Sequence, residues 1–162
     1  DVTSSANARG LLQLLPSTAE SIARQNGIDW LGPESLYQPD INILLGAGAL
    51  RDVIDTFNGK AYQAIGAYNA GPTPVNRWLT ARPALEPDFW IETVPYKETR
   101  EYIPRVLAFS VIFDWRLNQP VVPISRRLTG DFSTPFKAVA MKCPGPVPAP
   151  AAAAPGKAKK RR

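Results

Sequence analysis

The chain contains no histidine and one cysteine, Cys143, in 162 residues. Without imidazole there is no Ser-His or Cys-His pair and no histidine ligand for a metal, and a lone cysteine forms neither an internal disulfide nor a thiolate cluster. Acid–base chemistry falls to carboxylates, lysine or tyrosine, and no metal or cofactor is expected. No apolar run reaches the roughly 18 residues of a membrane span. The N-terminus, Asp1-Val2-Thr3-Ser4-Ser5, lacks a basic n-region, an apolar h-region and a methionine, so the expectation is a cut start without its own export signal. Alternating apolar and polar runs are also missing, as is any internal repeat, which points to an all-α domain.

Charge is abundant in one place only. The formal +5 comes from residues 131–162, which carry 7 basic side chains against 1 acidic, while residues 1–130 carry 12 against 13. That last segment also holds 6 prolines and ends in Lys157, Lys159, Lys160, Arg161 and Arg162. Such a composition buries little apolar surface and predicts a disordered Pro/Ala/Lys-rich tail, with Cys143 an exposed thiol in it. The five terminal cations suit weak, salt-sensitive contact with an anionic surface. The rest has no basic patch in composition, so no nucleic-acid partner is expected.

The remaining stretch reads as five or six helices and an all-α fold. Pro16 stops the segment Gly10 to Leu15, and Ser17 with Glu20 forms a capping-box pattern for a helix over about 18–26, ended by Gly27. Asp40 is placed as the N-cap of a long helix whose apolar stripe is Ile43, Ala47, Leu50, Ile54 and Phe57; Gly46 and Gly48 inside it predict close approach of another backbone. Ala61 to Tyr68 is followed by the turn Asn69-Ala70-Gly71-Pro72, and Thr73 caps a helix to about Leu79. Residues 80–88 read as a loop, 89–92 as a short aromatic element, and about 97–117 as a helix that kinks or restarts at Pro104. Val121 to Leu128 has no assignment.

Three segments are polar and aromatic where a helical core asks for neither. Gln13 lies between Leu12 and Leu14, so its amide is either buried, cleft-facing or satisfied by backbone. Tyr68 and Asn69 stand at a helix end, where side chains reach a cleft as readily as they terminate a helix. Glu92, Glu98 and Glu101 fall near Tyr96 and Tyr102; a carboxylate desolvated by aromatics is held protonated, but pairs with Arg105 would be ordinary surface contacts.

Taken in order, Gly10-Leu11-Leu12-Gln13, Ala67-Tyr68-Asn69-Ala70-Gly71, and Glu92-Thr93-Val94-Pro95-Tyr96 with Glu98-Thr99-Arg100-Glu101-Tyr102 resemble the soluble lytic transglycosylase domain. The resemblance covers about residues 2–118, leaving 119–130 as an extension and 131–162 as the tail. It implies a lysozyme-like, bilobal helical domain with a glycan groove, periplasmic or attached to the cell envelope and monomeric. It also implies cleavage of the β-1,4 bond between N-acetylmuramic acid and N-acetylglucosamine of peptidoglycan, leaving a 1,6-anhydro end. One carboxylate suffices there because the nucleophile is the sugar's own 6-hydroxyl.

By the same resemblance Tyr68 orients the catalytic glutamate and Ser4 contacts it, while Gln13, Asn69 and Glu92 meet the glycan. The glutamate itself falls about five residues before Asp1, outside this sequence. Asn7 and Leu12 stand where the family often has glycine and methionine. The chain alone is therefore expected to be inactive and marginally stable, because the helix bearing that glutamate packs on the helix over 42–57. The alternative is a non-catalytic module that binds peptidoglycan or scaffolds it.

Overall fold

In the computed structural model, which describes residues 2–117 and 120–130, proline opens four of the seven α-helices. These are α1 (Pro16–Gln25), α2 (Pro39–Thr56), α4 (Pro72–Ala81) and α5 (Pro87–Glu92). At a first helical position the fixed φ suits the helix and the missing N–H would have had no partner. The other three are α3 (Ala61–Ala70), α6 (Lys97–Arg116) and α7 (Ile124–Thr129), and a 3₁₀ turn covers Pro33–Tyr37. The all-α expectation holds: no strand forms among the described residues, where isolated bridges pair Thr3 with Arg9 and Arg9 with Leu14.

Several local expectations are corrected. Ser17 with Glu20 makes no cap, because α1 begins at Pro16 after an extended Leu15. Asp40 lies in the first turn of α2 behind Gln38, and Thr73 lies inside α4 behind Gly71. At Gly71 the positive φ of 88° favours glycine, so the turn after α3 and the cap of α4 are one residue. The presumed loop over 80–88 already contains the start of α5. α6 runs through Pro104 without restarting. The tail, Cys143 and the terminal basic cluster lie outside the described residues.

The largest correction concerns α2. The side chains it buries are Asn42, Leu45, Gly46 and Ala49, while Ile43 is 50% exposed and Leu50 42%. The face turned to the core is thus rotated about 100° from the apolar stripe, and small residues explain why. A Cβ on Gly46 would lie 2.3 Å from Leu12 Cδ1, and one on Gly48 would lie 2.7 Å from Ile22 Cγ2. The close approach at these glycines is real, but side chains make it rather than a second backbone.

Two apolar clusters result. One gathers Leu14 from the segment before α1 with Ile22, Leu36, Leu45 and Ala49 from α1, the 3₁₀ turn and α2. The other gathers Phe57, Val75, Trp78, Trp90, Ile103 and Leu107, with Tyr62 edge-on to Trp90 at 5.4 Å. Helix α3 packs against α2, α4 and α6 and runs between the clusters; Tyr68, near its end, packs on the first while Ala67 belongs to the second. Residues 120–130 pack on the same body: Val121 is buried, Leu128 lies against the second cluster, and Asp114 accepts hydrogen bonds from Val122 N and the Arg127 guanidinium.

Candidate active site

The segment from Val2 to Leu14 is shaped by backbone that glycine and short polar residues tolerate. Arg9 and Leu14 exchange backbone hydrogen bonds of 2.8 and 3.1 Å around Gly10 (φ 72°) and Gln13 (φ 49°). Gly10 has no substitute here: a Cβ would fall 2.2 Å from Leu36 O and 2.3 Å from Asn42 Nδ2. Asn42, fully buried in α2, clamps the segment. Its Oδ1 accepts from Leu12 N at 2.7 Å, and its Nδ2 donates to Arg9 O and Leu36 O, both at 2.9 Å. From the other side Tyr68 Oη donates to Leu12 O at 2.8 Å. Leu12 is thus held by its N–H from α2 and by its C=O from α3.

A cavity of about 620 Å³ opens at the seam between the two clusters. Gln13, Tyr68 and Asn69 line it, with Ser17 and Ser21 of α1 and Asp52 of α2. Burial, with a smaller contribution from Tyr102, pushes the Tyr68 hydroxyl up to about 12. Burial raises Tyr102 as well. Near neutral pH Tyr68 is a neutral phenol that donates one hydrogen bond and accepts others.

Gln13 combines two of the arrangements open to it. Its side chain is exposed and lines the cavity, while Nε2 donates to Gly10 O at 2.8 Å and Val2 O at 3.3 Å. Asn69 is fixed from α6: Thr99 Oγ1 donates to its Oδ1 at 2.6 Å, and its Nδ2 donates to Glu98 Oε1 at 3.0 Å. One amide hydrogen and one lone pair of Asn69 are left over.

Ser4 and Glu92 are not brought to this cavity. Ser4 Oγ accepts from Ala8 N at 3.0 Å and tightens the turn before Arg9. Glu92 ends α5, exposed. Glu98 and Glu101 are also exposed, so the aromatics desolvate none of the three carboxylates. The pairs with Arg105 do not form; Glu101 faces Lys97 at 3.9 Å and Glu98 serves Asn69.

Three participants were missed by reading the chain. Asn42, between Ile41 and Ile43, carried the same signal as Gln13, an amide among apolar neighbours. Thr99, buried beside Asn69, carried none. Asp52 supplies the one carboxylate lining the cavity among the described residues, and no pattern in the sequence marks it.

Residues 1–91 match the family model of the transglycosylase SLT domain, and residues 93–121 match that of the soluble lytic transglycosylase helical domain. Soluble lytic murein transglycosylase of Salmonella typhimurium is 35% identical over 114 residues, covering 69% of this chain and 18% of the relative. The Escherichia coli K12 protein of the same name is 32% identical over 114 residues, with the same coverage. Among solved structures, an inactive mutant of lytic transglycosylase Slt from Pseudomonas aeruginosa superposes with a TM-score of 0.70 at 45% identity, over 76% of this chain and 20% of that one. A complex of the 70-kDa soluble lytic transglycosylase with bulgecin A gives 0.72 at 29% identity, over 78% and 21%. The chain thus spans about a fifth of the length of these proteins.

Proposed function

The chain belongs to the transglycosylase SLT domain family, and from that premise we propose that it builds the glycan groove of a peptidoglycan lytic transglycosylase acting in the cell envelope. The observation that carries this reading is the convergence of Gln13, Tyr68 and Asn69, from two separate segments, on one cavity. In the reaction a glutamate protonates the glycosidic oxygen of the departing N-acetylglucosamine as the bond from C1 of N-acetylmuramic acid breaks. The same carboxylate then takes the proton of the muramyl 6-hydroxyl while O6 bonds to C1, so the 1,6-anhydro end forms and no water is consumed.

The chain's own groups hold and orient. Tyr68, neutral at working pH, offers its hydroxyl to the carboxylate, exchanging the bond to Leu12 O for a charge-assisted one. Asn69, anchored by Thr99 and Glu98, presents its remaining N–H to the sugar, and the Gln13 oxygen accepts from a sugar amide or hydroxyl. Ser4 and Glu92 are assigned to the acid and to the outer groove by resemblance alone.

In this reading the general acid is the glutamate that the resemblance puts about five residues before Asp1, in a longer parent. The exposed apolar residues of α2, among them Ile43, Leu44 and Leu50, form the face that a helix bearing that acid would cover. The second reading is a groove that binds glycan without cutting it, built on the same Gln13, Tyr68 and Asn69. Incubating purified peptidoglycan with this chain, and with a version extended upstream by roughly 20 gene-encoded residues, separates the two. Anhydro-ended muropeptides from the extended version alone support the enzyme. Their absence from both, with glycan still retained, supports the binder.

A further inference from the structure

A second cavity, also of about 620 Å³, lies at the opposite end of α3 and shares no lining residue with the first. Its walls are apolar, from Leu79, Leu85 and Leu128, and its polar groups are donors in excess. Lys60 and Arg82 line it and make no ion pair or side-chain hydrogen bond among the described residues; Glu86 is the one acidic group beside them.

The deeper polar groups show the same imbalance. Gln63 Nε2 donates to Tyr62 Oη at 2.8 Å, both side chains being buried. That bond uses Tyr62 as an acceptor and leaves its O–H without an acceptor among the described residues. Trp90, 1% exposed, forms part of the floor, and its indole Nε1–H is buried with no acceptor among the described residues. Buried donors are normally satisfied, so these leave the wall of the cavity with more donors than acceptors.

We infer that this cavity is a second ligand site, for a small carboxylate with an apolar body. The volume suits a ligand of amino-acid or dipeptide size. The carboxylate answers Lys60 and Arg82, a guanidinium fork being matched to two oxygens, and the apolar body rests against the leucines above Trp90. The site does not depend on how the Tyr68 groove works.

The test is a titration of the chain, labelled with nitrogen-15 at its four tryptophans, with N-acetylphenylalanine and separately with its uncharged amide. Indole N–H resonances report both foldedness and the neighbourhood of Trp90, which lies 6.4 Å from Trp78. With the acid, one or two of the four resonances move and saturate with a Kd on the order of 1 mM, and the amide binds about tenfold more weakly. Lys60→Gln with Arg82→Gln, the first at an exposed and the second at a half-buried position, leaves the ligand-free spectrum in place and weakens the acid by about tenfold. Tyr68→Phe leaves this binding unchanged, which separates it from any failure of the groove. No movement up to roughly 20 mM, or equal responses to acid and amide, or an unchanged response in the double variant, overturns the assignment.

Discussion

Replacing Asn42 by alanine tests whether one buried amide holds the groove segment in place. The side chain is fully buried and makes three hydrogen bonds, of 2.7, 2.9 and 2.9 Å, to Leu12 N, Arg9 O and Leu36 O. Each is worth about 1 kcal/mol net, and burial keeps water from replacing them, so the loss is roughly 3–5 kcal/mol. For a body of this size that is a fall in Tm of about 10–20 °C. Urea unfolding followed by circular dichroism, or a thermal scan, measures it. Asn76→Ala, on the exposed face of α4, serves as control and should stay within about 0.5 kcal/mol of the parent. An Asn42→Ala variant as stable as that control would show that the Gly10–Gln13 segment is held by something else.

Gly10→Ala should cost on the order of 3 kcal/mol or more, since it combines a positive φ with a Cβ 2.2 Å from Leu36 O; a calorimetric Tm equal to the parent's would contradict the geometry. Thr99→Val removes the donor to Asn69 Oδ1 and should cost about 1–2 kcal/mol, while Thr99→Ser restores most of it; in an active, longer protein kcat should fall and recover in step. The Tyr68 hydroxyl, ordinarily at 10.0, sits at about 12 in the fold. Its stabilisation is therefore complete below pH 10 and is lost as pH rises from about 10 to about 12. The full shift is worth about 2.7 kcal/mol, and solvent access to this half-buried side chain reduces that to roughly 1–2. Alkaline urea titrations should show that extra loss in the parent and not in Tyr68→Phe.

The parts legible from sequence were those where one residue type has one physical use. Gly71 and the helix end before it belong here, as do the glycines of α2 as points of close approach, though side chains make that approach; Gln13, Tyr68 and Asn69 were grouped by the family resemblance and not by residue type. The orientation of α2 was not legible, because the stripe rule assumes that the most apolar face is the buried one. Here the core takes the face of Gly46 and Ala49, where Leu12 and Leu14 pack closely, and accepts Asn42 because its amide satisfies three backbone groups. Pro16 was read as a stop although a first-turn proline is equally a start, and only the extended Leu15 decides between them. Thr99 and Asp52 reach the site through tertiary packing of α6 and α2, which no local pattern encodes.

The claim that this groove works with a glutamate from outside these residues is tested most directly in heavy-oxygen water. Peptidoglycan is digested there by the upstream-extended chain and by the same chain with its glutamate changed to glutamine, and the muropeptides are weighed. The account predicts anhydro ends free of the heavy isotope, formed by the first protein and lost in the second. Labelled, hydrated reducing ends, or equal cleavage by both proteins, would contradict it.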